Sequence, residues 1–239
     1  MGFSNNNQSS PKIYTNIVGG KLAVRTDKAG NVAPDGTIAK TRIAENKSTG
    51  EKKEVHEFLY DELSGIIESV SCEKNEKLKA YQYLVTIDDV GSKYIISIPA
   101  DSKYGDSLAT KLPNVKAGEY LTLKPYDFED KNKINPHNGK PQKLVGISIV
   151  QNGVKIAPYY TQEQPNGRPL PSTEKMDEDD FKIHMTIVRK FYRGEVSNWN
   201  LNQGAAKSTP PAPAATPSTS DNAAINEIAA DGDDLELPF

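Results

Sequence analysis

The stretch KYIISIPADSKYGDSLATKLP, Lys93 to Pro113, decides how the chain is read. Its first third places Tyr94, Ile96 and Ile98 on one side of an extended backbone, the period-two pattern of a strand. The pattern then changes. Asp101 or Ser102 stands where a helix N-cap belongs, Tyr104, Leu108 and Leu112 recur at helical spacing, and Pro113 ends the run. The reading is a strand over Lys93 to Pro99 feeding a helix over Asp101 to Leu112.

Strand-like runs surround this pair. Upstream lie Val55 to Leu59, continuing into Ile66 to Cys72, and Ala80 to Ile87. Downstream, the Gly118 turn leads into Glu119 to Tyr126, where Leu121 and Leu123 alternate with Tyr120, Thr122 and Lys124, and Lys143 to Gln151 repeats the alternation with Val145, Ile147 and Ile149. The order over residues 55 to 151 is therefore three strands, a helix and two strands. This order resembles the oligonucleotide-binding fold, a five-stranded Greek-key barrel with a helix between its third and fourth strands. The resemblance implies a mainly β chain whose barrel binds through strands two and three and the loops beside them.

Residues 1 to 11, polar and rich in Asn and Ser, read as disordered, and residues 12 to 54 as a β-rich extension with strands at Lys12 to Val18, Lys21 to Thr26 and Thr37 to Ala44. Residues 152 to 203 read as a proline-bearing loop followed by a helix packed on the barrel. Within them, Phe181, Val188 and Tyr192 fit a helical stripe, whereas Phe181, Ile183, Met185 and Ile187 also alternate like a strand. The acids from Asp177 to Asp180 and Gly194 favour the helix, because they stand where helix ends place them. Residues 204 to 220 turn to Pro, Ala, Ser and Thr, the composition of an extended linker, and residues 221 to 239 form an acidic tail.

The net charge of −3 conceals a division. Six carboxylates (Asp221, Glu227, Asp231, Asp233, Asp234, Glu236) and a single base, Lys207, lie beyond residue 200, so the body is slightly basic and the tail strongly acidic. Lysine far outnumbers arginine, which suits non-specific phosphate contact better than forked base readout. One cysteine, Cys72, excludes an internal disulfide, and three histidines make no zinc-ligand cluster. No apolar run approaches the roughly 20 residues needed to span a bilayer. The expected setting is a reducing cytoplasm, that of a bacterial host if the chain is phage-encoded.

The tail ends Asp233-Asp234-Leu235-Glu236-Leu237-Pro238-Phe239. A terminal Phe offers a ring to a partner's apolar pocket, its carboxylate meets a basic rim, and the upstream acids steer the approach. In these residues the chain resembles the bacterial and phage single-stranded DNA-binding proteins, whose acidic tips end in Pro-Phe, although Leu235 interrupts the acids and Leu237 replaces the usual Ile. The resemblance implies a non-enzymatic protein, of phage type, that coats single-stranded DNA in replication, recombination and repair. It would recruit a polymerase, helicase or primase through Asp233 to Phe239. The alternative is a protein-interaction or virion-associated β-domain with a solubilising tail.

Stacking on aromatic rings and lysine contact with phosphates carry sequence-tolerant binding. The candidate DNA contacts are Tyr81, Tyr83, Lys93, Tyr94, Tyr120, Lys124, Tyr126, Lys131, Lys133, Lys140 and Lys143. Tyr81 and Tyr83 share a face with Val85 and Ile87, and Tyr94 with Ile96 and Ile98, so core placement is the competing reading for all three. Tyr120 and Tyr126 lie opposite Leu121 and Leu123. Asp88-Asp89 and Asp177 to Asp180 are the only hints of a metal-dependent nuclease, and adjacent acids on one short segment are ordinarily turn or helix-start residues. No phosphate-binding loop or nucleophile elbow is present, and no cofactor is expected. A homo-oligomer stays open.

Overall fold

The computed structural model describes residues 12–45, 50–76, 79–134, 139, 141–172 and 176–204, with side chains as far as residue 200. The chain is mainly β. Ten strands form one open, mixed sheet in the order β10-β9-β8-β5-β6-β7-β1-β2-β4-β3, and two helices pack on it. The N-terminus and the linker and tail from residue 205 onward lie outside the described residues.

The first strands are built by turn chemistry. β1 (Lys12–Val18) and β2 (Lys21–Thr26) are joined by Gly19 and Gly20, at φ +55° and +73°. A two-residue hairpin turn with both residues in the left-handed region is the one glycine accepts without strain. β3 (Lys40–Glu45) and β4 (Lys52–Tyr60) pair antiparallel, and β4 also pairs with β2.

The single strand expected from Val55 into Cys72 is two. Asp61 and Glu62 turn the chain from β4 into β5 (Leu63–Asn75). β5 continues the expected series with β6 (Ala80–Asp89), β7 (Ser92–Pro99), α1 (Lys103–Lys111), β8 (Tyr120–Ile134) and β9 (Pro141–Gln151), followed by the two-residue β10 (Val154–Lys155). β5 must bend, because its residues 63–66 pair with β8 and its residues 66–75 pair with β6, with a bulge between Ile67 and Ser69. Gly65 permits the bend: a Cβ there would stand 2.5 Å from the Asp88 carbonyl oxygen and 2.7 Å from Ile87 Cγ2.

No ladder among the described residues closes these strands into the expected five-stranded barrel. The edge of β7 is taken by β1, whose residues 12–16 pair with residues 93–97 in parallel. The edge of β9 is met by a side chain instead. Ser107 Oγ of α1 accepts the Ile147 N–H at 3.0 Å and lies 3.3 Å from the Ile147 carbonyl oxygen as its donor. The sheet nevertheless curls on itself. The β1–β2 turn reaches β8, where a Cβ on Gly20 would lie 2.5 Å from Asp127 N, and the Gly20 N–H donates to Tyr104 of α1 at 2.9 Å.

The enclosed side holds the core. Tyr83, Val85, Ile87, Ile96, Ile98 and Ile147 are fully buried there, joined by Leu108 and Leu112 from the helix region. Ser102 caps α1 as expected, accepting the Gly105 N–H at 3.1 Å. The segment from Asp177 resolves in favour of the helix, α2 (Glu178–Gly204). Val188, Tyr192, Val196 and Trp199 form its buried stripe. α2 also mends the sheet. Where β5 parts from β8, the Asn200 amide accepts from Val70 N at 3.2 Å and donates to Val70 O at 2.9 Å, replacing the pairing a strand would give.

Candidate nucleic-acid interface

Side-chain parity across the ladders decides which of the expected contacts face outward. Tyr120, Ile66, Asp88, Lys93 and Lys12 are successive partners across β8, β5, β6, β7 and β1. The next row is Ser69, Thr86, Ile95 and Tyr14. Both rows lie on the side opposite the buried Tyr83, Val85, Ile87, Ile96 and Ile98. Their members are exposed or half-buried, with Tyr120 54% and Tyr14 65% exposed at opposite ends. Outward-facing tyrosines on a shared surface are what sequence-tolerant stacking needs.

The three tyrosines of β6 and β7 take the other parity. Tyr83 is fully buried, so it presents no ring face to a base, and its candidacy as a DNA contact is corrected to a core role. Its hydroxyl has no hydrogen-bond partner among the described residues, and burial pushes its phenol far above the ordinary value. Tyr94 is half-buried on the same side, where burial, with Asp89 and Asp35 nearby, raises its phenol. Tyr81 reaches the rim at 39% exposure, but the Arg193 guanidinium sits 4.6 Å from its ring centroid and is itself tied to Asp101 at 3.0 Å. The orphaned hydroxyl yields a prediction. Tyr83→Phe removes a buried group that has no partner, so stability in urea is expected to hold or rise by up to about 1 kcal/mol. A loss above that would reveal an unseen bond.

On β8, Tyr126 is half-buried rather than displayed. Its ring crosses Gly146, where any Cβ would collide with the phenol oxygen, and its hydroxyl faces Ser107. The exposed Phe128 ring is 5.8 Å away, so an aromatic pair rather than Tyr126 alone marks this end of the surface. Beyond it β8 and β9 continue as a two-stranded arm that carries the exposed Lys131 and the half-buried Lys133. Lys140 and the tail residues Asp233, Asp234, Leu235, Glu236, Leu237, Pro238 and Phe239 lie outside the described residues.

The remaining lysines are engaged by carboxylates. Lys93 meets both Glu68 oxygens at 2.8 and 2.7 Å, Lys143 meets Asp127 at 3.0 Å, and Lys124 meets Glu62 at 3.8 Å. Surface pairs of this kind contribute about 0–1 kcal/mol, so a phosphate can displace the carboxylate at little cost. Asp88 serves the β6–β7 turn by accepting the Gly91 N–H at 2.8 Å. Among the described residues no three His, Cys, Asp or Glu side chains gather into a metal-sized group, and no helix is long and apolar enough to cross a membrane.

Comparison with known proteins gives no anchor. No family model, no curated protein and no solved structure matches this chain. Besides Phe128 of β8, the residues missed by sequence reading are Tyr14 and Lys12 of β1. Their only signal was the opposite parity of Ile13 and Ile17 within KIYTNIV, and that becomes informative once β1 is known to pair with β7.

Proposed function

We propose that the chain is a sequence-tolerant single-stranded DNA-binding protein that coats DNA in replication, recombination and repair. In this reading β5 to β9 with α1 are an oligonucleotide-binding module. The observation that carries it is connectivity: spatial order β9-β8-β5-β6-β7 with a helix between the third and fourth strands of the series is the Greek-key order of that fold, here opened where β1 occupies the edge of β7. The outward side of β5 to β7 carries Lys93, and the exposed Tyr120 and Tyr14 stand at its two ends, on β8 and β1. The acidic Asp233 to Phe239 tip would recruit polymerase, helicase or primase.

Titration with fluorescent oligo-dT tests this. Binding is expected at low salt, with log affinity falling against log salt at about −0.7 per phosphate contact, and with duplex DNA bound more weakly. No binding at low salt, or equal affinity for duplex, rejects the proposal. The carboxylate partners of Lys93, Lys124 and Lys143 favour a second reading, a protein-interaction β-domain with a solubilising tail. That reading requires a chain lacking residues 221–239 to behave as wild type in every partner assay.

A further inference from the structure

We infer that the β1–β4 extension carries a second part of the DNA path, a cationic strip with Tyr14 as its stacking platform. The inference rests on the single-stranded DNA reading above and assigns its ligand contacts to strands outside the oligonucleotide-binding module.

The strip follows from register. The side of β7 and β1 that carries Lys93, Lys12 and Tyr14 continues across β2, β4 and β3, each hydrogen-bonded to the next, with Ala23, Val55 and Glu57 buried at its centre. Asn16 pairs with Ala23, which sets Arg25 on the same side; Arg25 pairs with Glu57, and Glu57 with Lys40. Arg42 pairs with Val55 on that side as well. Five strands at the usual spacing place these groups over roughly 19 Å.

Charge and exposure make it a polyanion surface. The inward side of this sheet has its own cover, since the loop after β2 packs there through Asn31 to Thr26 at 2.7 Å and Asp35 beside Tyr60. On the outward side Tyr14 is 65% exposed, Lys12 and Lys40 are exposed, and the Arg25 side chain is 64% exposed. The carboxylate of Glu57 is buried and fixes the arginines, cancelling one of their two charges. Arg42 donates to both of its oxygens, at 2.7 and 2.9 Å, and Arg25 Nε lies 3.8 Å away. A guanidinium has five N–H donors in a fixed fork, so Arg42 keeps donors for a phosphate while anchored. Among the described residues the ladders and ion pairs set Glu57, Asp61, Glu68 and Asp88 on this side, against Lys12, Lys21, Arg25, Lys40, Arg42, Lys53 and Lys93. A flexible single strand satisfies both features at once, with a base on the Tyr14 ring and phosphates on the flanking cations. A rigid duplex would keep its bases stacked away from the ring.

Two variants at exposed positions test the inference with oligo-dT, after thermal melting shows each folded as wild type. Tyr14→Ala is expected to weaken binding about 5- to 150-fold, the loss of one base stack, and Tyr14→Phe to retain it. Lys12→Gln/Arg25→Gln/Lys40→Gln is expected to make the salt slope shallower by about 2, the loss of three phosphate contacts. A wild-type chain that binds oligo-dT while both variants keep its affinity and slope overturns this inference alone. A wild-type chain that binds no oligo-dT overturns the function proposed above together with it.

Discussion

Replacing Trp199 with Ala is expected to lower the stability of the folded chain by about 3–5 kcal/mol, the range for truncating a large buried aromatic. Trp199 is 3% exposed and ends the buried stripe of α2. It also bonds to the backbone. The indole N–H donates to Leu112 O, just past the end of α1, at 2.9 Å, as the second donor beside the Val115 N–H at 3.0 Å. Truncation thus removes the ring's apolar area, opens a cavity between α2 and the sheet, and takes one of two donors from the Leu112 carbonyl, which keeps the Val115 N–H at 3.0 Å. Trp199→Phe keeps most of the packing and loses the donor while Leu112 O stays paired, so its cost is expected to be smaller, about 0.5–1.5 kcal/mol. Urea denaturation followed by circular dichroism measures both, since this is the chain's only tryptophan. A Trp199→Ala loss below about 1 kcal/mol would mean that α2 does not secure the fold.

That dependence on α2 was only partly visible in the sequence. The alternation of Ile183, Met185 and Ile187 competed with the helical spacing, and the structure shows why: Ile183 and Ile187 are 60% and 51% exposed, so this turn of α2 is not ordered by burial. The deciding stripe, Val188 to Trp199, lies further along. The strands around α1 were legible because turn residues bracket them and local periodicity is enough to define them. The β4–β5 break was not, because Asp61-Glu62 carries neither Gly nor Pro. Its direction is set instead by long-range pairing, β4 with β2 on one side of the turn and β5 with β8 and β6 on the other.

The candidate interface was harder for a related reason. Alternation separates two faces of a strand and leaves open which one a second layer will cover. Tyr83 and Tyr94 shared parity with isoleucines and valines, which already pointed inward; the exposed ring at Tyr14 depended on the pairing of β1 with β7, about eighty residues away. Closure of the sheet was likewise beyond local pattern. Whether β7 pairs with β9 or with β1 is settled by competition for one edge, and Ser107 relieves β9 of the need to win it.

Removing the Arg189 guanidinium should cost about 2–3 kcal/mol at neutral pH, with a pH dependence that identifies its cause. Arg189 of α2 grips Asp106 of α1 in a two-pronged pair, Nε to Oδ1 at 3.2 Å and Nη2 to Oδ2 at 3.0 Å. The side chains are 26% and 22% exposed, so the cost falls below that of a fully buried pair. Burial holds the Asp106 carboxyl above its ordinary value even with Arg189 beside it, and Asp101 adds repulsion. An acid whose pKa is raised on folding favours the fold while protonated, and that contribution is lost as pH rises through the folded pKa. In Arg189→Ala the carboxylate loses its partner and its pKa rises further. The deficit against wild type is therefore largest at neutral pH and shrinks at acid pH, where Asp106 takes up its proton. Asp106→Asn added to Arg189→Ala should recover most of the loss at neutral pH, because it removes the charge that burial penalises. Urea titrations followed by Trp199 fluorescence at both pH values distinguish this account from simple loss of packing, which would give one deficit at every pH and no recovery in the double variant.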